Sequence, residues 1–396
     1  MSRRLTRGLL RGLAHRLARS RRRATRRTVL AAGAAVAGAL ACADPVVGPD
    51  PGAEPAAVFD AAWQAFDRHF AFFGDKRLDW DLAYADHRPR VPAAGGTAAA
   101  ERQLFDAVCA LVRATGSLHS TLVAPTVGGA SGTCAPDLGQ RGAFFDPRLV
   151  RGRYVRSFGA TASTRIGFGP LPPWATIEAS TRRDGGTIGY VAIPSFAGAG
   201  WGGEIDDAVA SLEARSRAEA PSAPGLGALI IDVRGNGGGD EATARAVAAR
   251  FVDQERVYAL RRFRDGPARG ALGPPAEARV APAGRRFAGR VVVLTDRGTA
   301  SAAEDFVLMM RVVPGAVVVG DTTSGTASQP LPRQLPNGWW LRVPASMELT
   351  PDGAFVVEGR GLPPDVAAPS APADVERDLD APLSAAVALL TGFRAL

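Results

Sequence analysis

The chain has 396 residues, of which 46% are hydrophobic and 22% charged. This composition excludes a disordered, collagenous or small disulfide-framework protein, and the length allows a large core and more than one domain. The formal charge of +8 is unevenly placed: residues 1–41 hold 11 arginines and no acidic residue, and the remainder holds 36 basic against 39 acidic side chains. No nucleic-acid-binding surface is therefore expected.

Residues 1–41 read as an export signal. A basic region runs to Arg27, and "TVLAAGAAVAGALA" then gives an apolar run too short to span a bilayer and ending in small residues. "TRRTVL", Thr25 to Leu30, is similar to a twin-arginine signal. Ala39-Leu40-Ala41 fits a cleavage site, and Cys42 before a Pro/Gly-rich stretch also fits a lipoprotein acylated at that cysteine. Free secretion and a lipid anchor at Cys42 both stay open, against the plainer reading of a basic tail on a cytosolic protein. Residues 42–55 form a tether.

From Ala56 to Thr115 the periodicity is helical. Phe59, Trp63, Phe66 and Phe70 share one face, and "AAAERQLFDAVCALVRAT" repeats the pattern. A helical domain is expected over 56–124. A Gly-rich loop at 125–145 and short strands such as "GRYVRSF" and "WATIEAS" make 125–185 a connecting region. From residue 186 to 396, strands and helices alternate. "TIGYVAIPSF", "LGALIIDV", "RVVVLT" and "GAVVVG" are strands, separated by the helices "GGEIDDAVASLEARS", "DEATARAVAARFV" and "SAAEDFVLMMRVV". Continuous apolar strands suit a sheet covered on both faces, so the fold class is α/β with mostly parallel pairing. Extended structure returns over 331–358, most clearly in "WWLRVP".

Two places could carry chemistry. In "LIIDVRGNGGGDEATA" a buried strand ends in a glycine cluster before a helix. The spacing breaks G-x-G-x-x-G and has no G-K-[ST], so phosphate binding is not expected. A tight strand-to-helix turn and an oxyanion hole of backbone N–H groups both stay open. In "VVVLTDRGTASAAEDF", Ser301 stands at a helix entrance with Glu304 three residues on, the pattern of a capping box. The same position suits a nucleophile, because the Ala302 N–H that follows is an orphan donor at the positive end of a helix. A serine nucleophile needs a base. His69 and His87 lie in helical stretches and read as packing or surface residues, whereas His119, in "TGSLHSTL", lies between small polar residues just past a helix end. The chain's single lysine, Lys76, precedes the α/β core, so no lysine shortly after the serine can serve. Cys109 and Cys134 could be a disulfide or, for Cys109, a buried free thiol; neither has the partners of a metal site, and no metal or other cofactor is expected.

"LIIDVRGNGGG", "LTDRGTASAAE" and "VEGRGLPPDV", in this order, resemble the C-terminal processing peptidase family, also called tail-specific proteases. "KRLDWDLAYADHRPRV" and "SLHSTL" are similar to its tricorn-like branch. The resemblance implies a crotonase-like core of ββα units and a catalytic triad. Ser301 is the nucleophile, His119 the base in place of the lysine of the other branch, and Glu358 the carboxylate that orients it. It also implies an oxyanion hole built from the Ala302 N–H and that of Gly237 or Gly238. Ser117 stands where an aspartate is usual before the histidine, Leu118 where the tricorn core has a serine, and no PDZ segment is recognisable between 120 and 186. Glu304 keeps the role of helix cap. The function expected is an exported serine endopeptidase acting on peptides or unfolded proteins in the periplasm or cell envelope. A non-catalytic binding module of the same fold and an esterase or amidase with the same triad are the alternatives.

Overall fold

A strand that is apolar on both faces needs a layer on each side, and the strands expected in the second half of the chain obtain both. The computed structural model describes residues 52–128, 132–136, 155–158, 174–180, 186–198, 200–219, 221–222, 224–377 and 379–392. The export signal expected at 1–41, Cys42 and part of the 125–145 loop lie outside these residues.

Helices α1 (Pro55–His69), α2 (Phe73–Lys76), α3 (Trp80–His87) and α4 (Ala98–Ala114) come first. Strands β1 (Thr121–Val123), β2 (Thr133–Cys134), β3 (Val155–Phe158), β4 (Trp174–Ser180) and β5 (Thr187–Ala192) follow. The alternating part continues with α5 (Trp201–Glu219), β6 (Leu226–Asp232), α6 (Glu241–Ala248), β7 (Arg256–Phe263) and β8 (Ala276–Val280). Then come β9 (Arg290–Thr295), α7 (Ala302–Arg311), β10 (Val317–Gly320), β11 (Pro330–Gln334), β12 (Trp340–Pro344), β13 (Ser346–Leu349), β14 (Val366–Ala367), α8 (Pro372–Glu376) and α9 (Ala381–Thr391).

Among the described residues the main sheet has the order β14-β10-β9-β6-β5-β4-β3. The run from β14 to β5 is parallel, and β4 and β3 join antiparallel. Alternate residues of one strand enter opposite layers, which is why the strands read as unbroken apolar runs. Ile230 and Val292 face Leu383, Ala386 and Leu390 of α9. Leu229, Ile231, Val291 and Val293 face the layer of α5, α6 and α7, including Leu212, Val247 and Phe306. Each such side chain, fully buried, contributes about 1.5–3 kcal/mol.

The helical stretch 56–115 resolves into separate helices because polar side chains restart it. Asp79 accepts from the Leu82 N–H and Thr97 from the Ala100 N–H, each a side-chain N-cap. The first helix stops at His69, since Phe70 is extended at φ −66°, ψ 122°. Phe59, Phe66 and Phe70 are fully buried. Their core includes Leu122 and Leu341 of an antiparallel sheet ordered β11-β12-β1-β2, and Trp339 just before β12. The described residues from 54 onward thus form one compact unit. Cys109 and Cys134 are joined as a disulfide, with Cα atoms 5.8 Å apart, tying α4 to β2.

Strands β7 and β8, in a three-stranded sheet with β13, lie where the sequence suggested no element. The run "RVYALRRF" buries an arginine, which masks the alternation of a strand. Arg261 is only 8% exposed because it pairs with Glu241, Asp305 and Glu348.

Candidate active site

Strands β6 and β9 are parallel neighbours, with Asp232 opposite Leu294, so the glycine loop and the Ser301 turn leave the same edge of the sheet. Ligand sites of open α/β sheets lie at such carboxyl ends. The two loops are stitched together. The Thr299 hydroxyl donates to the Val233 carbonyl at 2.9 Å, and the Ala300 N–H to the Asn236 carbonyl at 2.9 Å.

Ser301 has φ 57° and ψ −127°. With the Ala303 N–H donating to the Ala300 carbonyl at 3.0 Å, this is the geometry of a type II′ turn, whose first central position glycine normally takes. A serine there stores on the order of 1–3 kcal/mol of strain. The sharp strand-to-helix turn thrusts the side chain outward, as in a nucleophile elbow. Glu304 steadies the turn. It accepts from the Ser301 N–H at 3.2 Å, as a helix cap should. It also accepts from the Thr323 hydroxyl and from the N–H groups of Gly325 at 2.8 Å and Thr326 at 2.7 Å. Burial pushes its carboxyl up to about 7 against those four donors. Glu304 is therefore an anchor for the 323–326 loop as well as a cap, which its sequence position did not reveal.

The glycine loop is held just as tightly. Arg234, fully buried, forms ion pairs with Asp232 at 2.6 Å and with Asp380 at 2.7 Å, at the start of α9. The Gly235 N–H donates to the Asp296 carboxylate at 2.9 Å. Asn236 donates to the Ile193 carbonyl at 2.8 Å, and its Oδ1 accepts from the Gly238 N–H at 2.9 Å. The Gly238 N–H is thus already engaged. The exposed Gly237 N–H has no hydrogen bond among the described residues. At Gly238 φ is 98°, and a Cβ would lie 2.7 Å from both the Ala300 carbonyl oxygen and the Ser301 Cβ. Ala302 is the first residue of α7, so its N–H has no intrahelical acceptor.

His119 reaches this edge from the other end of the chain. Helix α4 ends at Ala114, Gly116 takes φ 57°, and the Ser120 N–H closes a turn on the Ser117 carbonyl at 2.9 Å. The Thr115 hydroxyl braces it with 2.7 Å contacts to the Val112 carbonyl and the Ser120 hydroxyl. The imidazole Nε2 lies 3.1 Å from Ser301 Oγ, and Nδ1 lies 2.9 Å from Ser328 Oγ. Burial, and then the positive charge of Arg342, push His119 down to about 4, against the Ser328 backbone. The ring is neutral at neutral pH. With Nε2 accepting from the Ser301 hydroxyl, Nδ1 carries the proton and donates to Ser328.

Glu358 is 2% exposed, and neither carboxyl oxygen has a hydrogen-bond partner among the described residues. Burial pushes it up to about 7; the Ser117 hydroxyl, Lys76 and the Ala327 backbone favour its charged form, and Glu304 opposes it. The sequence expectation set Glu358 against the imidazole, whereas the partner on Nδ1 is Ser328. Ser328, two residues past Thr326 in a polar loop, carries no pattern in sequence that would have singled it out. His69 bonds Arg333 at 3.1 Å and His87 closes α3, both in keeping with packing or surface roles.

Among the described residues no cluster of metal-binding side chains occurs, and no helix is long and apolar enough to cross a membrane. The sequence pattern of peptidase family S41 matches residues 187–368, and that of the tricorn protease C1 domain matches residues 51–100. The carboxy-terminal processing protease CtpB of Bacillus subtilis is 27% identical over 198 residues, covering 49% of this chain and 37% of that protein. The chain thus spans little more than a third of that relative's length. A solved structure described as a "putative peptidase" from Parabacteroides merdae superposes with a TM-score of 0.65 at 25% identity, covering 85% of this chain and 97% of that one. The photosystem II D1 C-terminal processing protease shares the fold with a TM-score of 0.51 at 18% identity, covering 79% and 92%.

Proposed function

The chain belongs to peptidase family S41, and on that premise we propose that it is a serine endopeptidase cleaving peptides or unfolded proteins through an acyl-enzyme. The observation that carries this reading is the 3.1 Å contact between His119 Nε2 and Ser301 Oγ, made across 182 residues of sequence. Ser301 attacks the substrate carbonyl while Nε2 takes the hydroxyl proton. The imidazolium keeps its Nδ1–H bond to Ser328. The new C–O⁻ accepts from the Ala302 and Gly237 N–H groups, the two unengaged donors beside the serine. Collapse of the intermediate breaks the C–N bond, and His119 returns the proton to the leaving amine. A water, deprotonated by the same nitrogen, then hydrolyses the ester and frees Ser301. In this reading the buried Glu358 carboxylate stabilises the imidazolium by its charge.

The same reading takes residues 186–396 as a catalytic core of crotonase-like ββα units and 56–124 as its N-terminal helical domain, with 125–185 connecting them. The parallel order β6-β9-β10 at the site supports it. Export, by a signal at 1–41 with or without acylation of Cys42, is in keeping with the Cys109–Cys134 disulfide, which belongs to an oxidising compartment.

Ser301→Ala should abolish both cleavage of an unfolded protein and labelling by a fluorophosphonate, with the circular dichroism spectrum unchanged; His119→Ala should do almost as much. Wild-type protein that never reacts with the probe would instead make the chain a binding module. Probe labelling with ester but no peptide turnover would make it an esterase.

A further inference from the structure

Lys76, the last residue of α2, lies at the site although its sequence position is remote from the α/β core. Its Nζ donates to the Gly116 carbonyl at 2.9 Å, in the turn that presents His119. On its other side is Gly359, where a Cβ would lie 3.5 Å from Nζ. The preceding residue on the same short helix adds a second tie: Arg360 pairs with Asp75 at 3.4 Å. Helix α2 thus clamps the histidine turn to the turn that carries Glu358. Between the two, Glu358 is buried beside Ser117, whose hydroxyl also has no partner among the described residues. The charged groups that act on Glu358 are Lys76 on the favourable side and Glu304 on the unfavourable side, with Arg360, two residues on, half exposed and paired with Asp75.

We propose that Lys76 is a positioning residue of this hydrolase, its ammonium, held in place by the Gly116 carbonyl, serving as the counter-charge to Glu358. The inference rests on the serine-hydrolase reading above. Arginine would keep the charge with a different reach, and methionine would keep the packing of the stem while removing the charge. A cation lost from a buried carboxylate disfavours its charged form.

The test is the pH dependence of two rates in the full chain: hydrolysis of fluorescein-labelled casein, and phosphonylation of Ser301 by a fluorophosphonate. Lys76→Met should move the acid limb of both profiles upward by about one pH unit, so that the rate at pH 6 falls roughly tenfold and largely recovers by pH 9. Lys76→Arg should hold the limb within a few tenths of a unit. The Lys76→Met, Glu358→Gln double variant should be no slower than Glu358→Gln alone, because the lysine acts through the carboxylate. A loss equal at every pH, an unmoved limb, a limb displaced as far by Lys76→Arg as by Lys76→Met, or a multiplied loss in the double variant each overturns the proposal. Failure of the underlying reading has a separate signature: Ser301→Ala would then label and cleave like the wild type.

Discussion

Ser328 Oγ lies 2.9 Å from His119 Nδ1, the position at which a triad carboxylate would accept. A neutral hydroxyl there can fix the tautomer and orientation of the ring without placing a charge against it. Loss of one neutral hydrogen bond is worth about 1 kcal/mol. Ser328→Ala should therefore lower kcat roughly fivefold to tenfold with KM little changed. A kcat equal to wild type would mean that the ring is oriented by packing alone.

Gly238 is the contact between the glycine loop and the serine turn. An alanine would have its Cβ against the backbone of Ala300 and the Cβ of Ser301, at a φ of 98°. Both clashes involve atoms that cannot swing aside. Gly238→Ala should destabilise by about 2–4 kcal/mol and depress turnover at least a hundredfold, while Gly237→Ala, with open space around it, should keep the fold. Thermal melts of the two variants side by side check this. Equal melting temperatures would refute the close packing of the two loops.

Glu358 should set stability and activity against each other. Its folded pKa, about 7, lies above its ordinary value of 4.5, so the folded state holds the proton more tightly than the unfolded chain does. Its contribution to stability is intact below about 4.5 and is lost as pH rises through 7. Glu358→Gln removes that loss. The variant should be about 1–3 kcal/mol more stable than wild type at pH 8, no more stable at pH 4, and slower at every pH where the carboxylate would be charged. Denaturant titrations at the two pH values measure it, and a variant less stable at pH 8 would show that Glu358 is stabilised by its neighbours in the charged form.

The Cys109–Cys134 bond closes a segment with a sequence separation of 25. It braces α4, from whose end the His119 turn springs. Replacing both cysteines by alanine should cost about 3 kcal/mol through the freed unfolded chain. Reduction by dithiothreitol should lower the melting temperature of the wild type and leave the double variant unmoved.

The order of elements was legible because local chemistry writes it. The runs "LGALIIDV" and "RVVVLT" are apolar throughout because each strand is covered on both faces, and Asp240 and Ser301 stand at the helix starts found. Ser301 and His119 could be proposed for the same reason: a helix entrance and a polar turn are local features. Strands β7 and β8 escaped notice because Arg261, buried among three carboxylates, breaks the hydrophobic alternation by which a strand is read.

What the sequence determined by itself was therefore the α/β class, the two loops rich in small residues, and the identity of a serine and a histidine that could react. Only the tertiary structure decided that Ser328 meets the imidazole, that the Gly238 N–H is occupied by Asn236, and that Lys76 reaches the Gly116 carbonyl and the turn at Gly359. The physical reason is that hydrogen bonds and charge pairing act over a few ångströms of space with no regard for separation along the chain. The patterning of apolar and small residues, by contrast, is repeated within each element and survives in the one-dimensional record.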